Sequence, residues 1–132
     1  MIYASTRLVA ADIQAMVAFY EMVADQKADW LAPAFAEIVT PVATLAIGAA
    51  ETVALFEPGS AEPKANRSAI LEFRVADVDA EFARLKDKAQ VVHAPKTMPW
   101  GNRTAQFRDP EGTAVALYTP VTETAKARFA GR

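Results

Sequence analysis

The sequence predicts an α+β chain in which two tandem modules share one element order, strand–helix–strand–strand–strand. Three observations carry that reading. Leu8, Asp12, Val17 and Tyr20 recur as Phe73, Asp77, Phe82 and Leu85 at a constant offset, and self-similarity at a fixed spacing marks a duplicated structural unit. Each of the two aspartates stands between a strand pattern and a helix pattern. Between the copies lies a stretch from Pro58 to Asn66 rich in proline and small polar residues, which is linker chemistry. The modules are expected at about 1–58 and 67–120, with 59–66 as linker and 121–132 as a tail, all in one domain for which 132 residues suffice.

In the first module, Ile2 to Ala10 has the composition of a strand entering a core. Asp12 follows as an N-cap, because a carboxylate can accept the free amides of a first helical turn. From Ile13 onward Met16, Val17, Tyr20 and Val23 recur at three- and four-residue spacing, the pattern of an amphipathic helix. Gln26 to Ala34 is read as irregular. Phe35–Thr40, Ala43–Gly48 and Thr52–Phe56 are read as the three remaining strands, the first two joined about Pro41.

In the second module, Ser68 to Val75 is the opening strand, with Leu71, Phe73 and Val75 on one face. Asp77 caps a helix whose stripe is Val78, Phe82 and Leu85. Ala89–His93 is a further strand. The last two strands, Thr104–Arg108 and Thr113–Tyr118, form a hairpin about Asp109-Pro110-Glu111-Gly112, where proline fixes one φ and glycine accepts the positive φ of a tight reversal. Pro99 and Gly101 place Trp100 on the loop ahead of this hairpin. The tail from Val121 is read as a final helical turn or a frayed end, without a functional role.

Composition narrows the function classes. Apolar residues make up 52% of the chain, enough for a core, and the formal charge of −2 with dispersed Lys and Arg leaves no footprint for nucleic acid. The absence of cysteine removes disulfides, thiolate metal sites and a thiol nucleophile. No Gly-x-Ser-x-Gly or phosphate-cradling glycine loop occurs. The N-terminus lacks a signal-peptide pattern and no apolar run reaches membrane-spanning length, so a soluble cytoplasmic protein without membrane contact is expected.

The strand–Phe107-Arg108-Asp109-Pro110-Glu111-Gly112–strand hairpin resembles the last hairpin of the vicinal oxygen chelate superfamily, which holds glyoxalases, bleomycin-resistance proteins and extradiol dioxygenases. Val17-Ala18-Phe19-Tyr20 and Val75-Ala76-Asp77-Val78-Asp79-Ala80 resemble further hallmarks, and the likeness spans roughly Ser5 to Pro120. It implies tandem βαβββ modules forming a cup-shaped mixed sheet with helices outside, and a homodimer. Metal-dependent members hold a divalent ion with His or Glu on the first and last strand of each module. Here those positions carry Ser5, Ile70 and Ala116, with Ala46 or Ala54 as the fourth. Serine is a poor neutral ligand, and alanine and isoleucine offer no side-chain donor. His93, the only histidine, follows Val92 at a strand end. No divalent metal and no other cofactor is expected.

Strand alternation assigns the inward residues instead. Arg7, Glu72, Arg74 and Tyr118 face the cup, and Trp100 stands at its rim. Two readings of the charges remain open: they orient a ligand, or Arg7 and Glu72 form an ion pair. Trp100 is likewise either a ligand contact or a dimer contact, and Trp30 and Phe35 are assigned to core or interface. The resulting expectation is a metal-free small-molecule binding cup, for an antibiotic or aromatic metabolite. The alternative is a lyase, isomerase or dioxygenase of the same superfamily with a divergent site, in which Glu72 or Tyr118 serves as general acid or base.

Overall fold

Asp12 opens the first helix of the computed structural model, which describes residues 1–132. Its side chain accepts the Ala15 amide at 3.1 Å, satisfying one of the donors that a first turn leaves without an internal partner. The first module runs β1 (Ser5–Ala10), α1 (Ile13–Ala24), β2 (Asp29–Ala32), β3 (Phe35–Val39) and β4 (Thr44–Ala49). Its sheet has the order β1-β4-β3-β2, with β1 parallel to β4 and the other pairs antiparallel. Helix α1 ends at Asp25, whose φ of 51° is left-handed, a conformation Asp tolerates better than most residues. Met16, Val17, Phe19, Tyr20 and Val23 are buried on α1, which packs on β3 and β4. Ala36, Ile38, Leu45 and Ile47 supply the buried side of the sheet. Each large apolar side chain so removed from water contributes about 1.5–3 kcal/mol.

Three expectations for this module change. Strand β1 begins at Ser5 rather than Ile2. The segment read as irregular contains β2, a four-residue edge strand, all exposed and bulged between Trp30 and Ala32; with no buried face it shows no alternation. Conversely, Thr52–Phe56 is no strand but part of a 3-10 turn, Ala50–Leu55. There Thr52 Oγ1 donates to the Ala49 carbonyl at 2.7 Å and the Phe56 amide to Val53, so local bonds hold the turn that sheet pairing would have to break. Trp30, assigned to core or interface, is 41% exposed.

The second module repeats the order with β5 (Ile70–Arg74), α2 (Val78–Leu85), β6 (Gln90–Thr97), β7 (Asn102–Arg108) and β8 (Ala114–Pro120). Asp77 caps α2 by accepting the Ala80 amide at 3.2 Å. The sheet order is β5-β8-β7-β6, with β5 parallel to β8. Both modules are therefore βαβββ. Phe82 of α2 meets Phe107 of β7 at 5.7 Å between ring centroids, over buried Val115 and Leu117. Arg103 grips Asp79 through two hydrogen bonds of 2.8 and 3.0 Å, and this bond holds the Asp79 carboxyl below its ordinary range. Strand β6 runs four residues past His93, through register shifts around it and Pro95. Proline is tolerated there because β6 is a bulged edge strand. The tail forms a third helix, α3 (Glu123–Phe129), capped by Thr122.

The chain divides into two compact units, Met1–Asn66 with Pro110–Gly112, and Arg67–Asp109 with Thr113–Arg132. The tip of the β7–β8 hairpin thus belongs with the first module. Glu111 is the reason: its two carboxylate oxygens accept the amides of Ala11 and Asp12, each at 2.8 Å.

Candidate functional site

Residues paired across neighbouring strands carry their side chains on the same side of a sheet. In the second module Leu71, Phe73, Val115, Leu117, Ala105 and Phe107 form the helix side. The opposite side displays polar groups in rows set by the register. One row is Glu72, Ala116, Gln106 and His93; the next is Arg74, Tyr118, Thr104 and Lys96. The first module has the matching row Arg7, Ala46, Glu37 and Asp29.

The register decides which first-module alanine corresponds to Ala116. Ala116 is paired with Glu72 on the opening strand, and Ala46 is paired with Arg7. Ala54 lies in the 3-10 turn and is exposed. The likeness of Val53–Pro58 to Val115–Pro120 is therefore not a structural correspondence. The four positions at which the family resemblance leads one to expect metal ligands hold Ser5, Ala46, Ile70 and Ala116, with Ala46 and Ala116 3% and 1% exposed. No imidazole or carboxylate stands among them, and this donor set does not fit a divalent ion.

Of the residues singled out from sequence, Glu72, Arg74 and Tyr118 share one face of the second sheet, and Arg7 occupies the equivalent face of the first. The guanidinium of Arg7 lies 4.4 Å from the Phe35 ring centroid and 5.5 Å from that of Phe56. Within the first unit its partners are these aromatic faces. Arg74 lies 5.1 Å from the centroid of Phe129, and Tyr118 stacks on the same ring at 5.6 Å. A cleft of about 410 Å3 adjoins them, lined by Arg74, Thr119, Pro120, Lys126 and Phe129 among others. That volume lies within the range of small-molecule sites.

Trp100 stands 59% exposed on the β6–β7 turn, which the Met98 carbonyl closes by accepting the Gly101 amide at 2.9 Å. Gly101 has a φ of 94°, and a Cβ there would collide with Thr122 Oγ1 and approach Ala125 Cβ to 2.9 Å. The Gly101 carbonyl in turn accepts the amides of Val121 and Thr122, so the turn that carries Trp100 also seats α3. His93 Nδ1 donates to the Ala94 carbonyl at 2.8 Å. Asn102 Oδ1 is buried without a hydrogen-bond partner.

Sequence reading missed Phe129, Gln106 and Thr104. The spacing of Val121, Ala125 and Phe129 carries the signal for α3, four residues apart each time. Gln106 and Thr104 required the register itself.

Residues 2–117 match the family model described as Glyoxalase/Bleomycin resistance protein/Dioxygenase superfamily. No curated protein matches the chain. Among solved structures, a glyoxalase/bleomycin resistance protein/dioxygenase family enzyme from Burkholderia phytofirmans PsJN aligns with a TM-score of 0.80 at 21% identity. The alignment covers 92% of this chain and 100% of that one. Lactoylglutathione lyase from Agrobacterium tumefaciens aligns at 0.69 and 22% identity, covering 88% and 91%. TioX from Micromonospora sp. ML1 aligns at 0.68 and 20%, covering 92% and 100%. At such identities the likeness speaks for the fold.

Proposed function

The chain belongs to the glyoxalase/bleomycin resistance protein/dioxygenase superfamily, and within it we propose a metal-independent small-molecule binding protein. The observation that carries this is the pairing of alanine with exposed charge. Ala116 and Ala46 replace the donors a metal site needs, while Glu72 and Arg74 stand exposed on the polar face of the second sheet. An ionic or strongly polar planar ligand satisfies such a face; an apolar one does not. Glu72, Arg74 and Tyr118 are the contacts we assign to the ligand, with Trp100 on the adjoining turn and Arg7 as the equivalent cation of the first module.

Tryptophan fluorescence tests this in a Trp30→Phe background, where Trp100 is the sole reporter. A planar metabolite and antibiotic panel is expected to contain a ligand that quenches Trp100 saturably and loses affinity on Arg74→Gln. A panel without any saturable ligand sinks the proposal. One structural relative is a lactoylglutathione lyase, and Glu72 with Tyr118 would supply acid–base groups to a metal-independent counterpart. Turnover of a bound ligand that vanishes in Glu72→Gln selects that reading. For the protein as a whole we propose a homodimer, since Ile2, Tyr3, Val42, Leu55 and Phe56 of the first unit are largely exposed. Light scattering that gives a monomer at every concentration refutes it.

A further inference from the structure

We infer that Arg7 anchors a subsite on the polar face of the first module for a small monocarboxylate with a flat apolar body. The inference deepens the binding function proposed above and rests on it for Arg7 as a ligand contact. Arg7 is exposed on β1, and its guanidinium crosses β4 to lie over the Phe35 ring of β3, 4.4 Å from the centroid. Phe56, at the end of the 3-10 turn, approaches the same group at 5.5 Å. Within this unit no carboxylate or carbonyl accepts the Arg7 N–H groups. A guanidinium stacks by its face and donates in its plane, so ring contacts leave the donor edge open. That edge matches a carboxylate through two parallel hydrogen bonds.

Gly48 makes the arrangement possible. It pairs with Val9 on one side and Phe35 on the other. Its φ is not positive, so the missing Cβ supplies room for a close approach. A Cβ there would stand 3.5 Å from Arg7 Nη1 and 2.9 Å from Thr52 Oγ1. Thr52 Oγ1 donates to the Ala49 carbonyl and holds the turn that ends at Phe56. One glycine thus gives the guanidinium its floor and the second ring its place. Phe56 is 69% exposed, which sets apolar surface beside an open cation, and a ligand carrying both an anion and a flat body covers both. Charge farther along the row limits the ligand to one anionic end. Arg7, Ala46, Glu37 and Asp29 share that row, with Glu37 two strands from Arg7, on the order of 10 Å. Glu37 and Asp29 stand directly opposite each other without a cationic partner in this unit. A second carboxylate reaching from Arg7 over Ala46 meets like charge.

The full-length, 15N-labelled protein titrated with benzoate tests this by NMR. Saturable shifts are expected at the Arg7 side-chain N–H and at the Gly48 and Phe56 amides. Arg7→Gln is expected to weaken binding by about tenfold or more, the lower end for a hydrogen-bonded charge. Arg7→Lys keeps the charge and loses the fork, and the same loss is expected there should Arg7→Gln fail to fold. Terephthalate, the same ring with a second carboxylate, is expected to bind more weakly than benzoate. Glu37→Gln and added salt should each narrow that gap. Unchanged benzoate affinity in a folded Arg7 variant overturns the subsite. Equal affinity for benzoate and terephthalate overturns the restriction to one anionic end. Benzoate shifts confined to Arg74 and Tyr118 overturn the Arg7 subsite and leave the binding function standing. So does a Trp100-quenching ligand lost on Arg74→Gln in a protein that takes no benzoate. Absence of every ligand removes both ideas together.

Discussion

Glu111 couples the hairpin tip to the first helix, and its removal has a calculable cost. Both carboxylate oxygens accept backbone amides at 2.8 Å, from Ala11 and Asp12. Hydrogen bonds to a charged group contribute about 1.5–3 kcal/mol each when shielded. Ala11 and Asp12 are exposed, so water replaces much of what is lost and the two bonds together contribute about 1.5 kcal/mol. A carboxylate at a helix start adds about 0.3–1 kcal/mol. Glu111→Ala is therefore expected to cost about 2 kcal/mol in total. In urea, with an m-value near 2 kcal/mol/M, the midpoint falls by about 1 M at unchanged m. Glu111→Gln keeps one acceptor but turns an NH2 toward an amide, and loses about half as much. A Glu111→Ala midpoint within about 0.2 M of wild type, on the same m-value scale, refutes the assigned role.

Two further expectations concern the second module. Arg103 holds the Asp79 carboxyl below its ordinary range, so the folded pKa is depressed. The stability from that pair is present above the unfolded carboxyl pKa of about 3.9 and is lost as pH falls through the lower folded value. The stability difference between wild type and Asp79→Asn should then stay flat near neutrality and shrink only below about pH 4; a difference that changes between pH 5 and 8 contradicts it. Gly101→Ala forces a β-carbon onto a φ of 94° and against Thr122, at a cost of about 1–3 kcal/mol. Hydrogen exchange in residues 121–130 should accelerate, and an unchanged tail shows that Gly101 does not seat α3.

Local chemistry made the modules legible. The aspartate caps, the helix stripes and the Asp109–Gly112 turn each depend on neighbours within four residues, and all three stand where the sequence placed them. What failed depended on distant partners. Strand β2 pairs along one edge only, so nothing in its own residues demanded a strand. Thr52–Phe56 has strand-like composition, yet β1 already pairs with β4 and leaves the segment to its local turn. The alternation of Glu72, Arg74 and Tyr118 was readable because β5 and β8 bury their other face against a helix. The ring that Arg74 and Tyr118 meet was not, because it comes from a segment outside the repeat.

The repeat keeps its backbone pairing while its side-chain chemistry differs between the copies. Backbone register is conserved between the modules: the opening strand lies parallel to the last, and an alanine of the last strand sits beside a charged residue of the first. Side-chain chemistry in that register is not symmetric, because Arg7 in one copy answers to Glu72 in the other. Two equivalent ligand positions serve a metal ion by converging with like donors. The Arg7 guanidinium lies against Phe35 and Phe56, each such contact contributing about 0.5–1 kcal/mol at an exposed site, and that of Arg74 against Phe129. An aromatic ring thus satisfies both cations without quenching their charge.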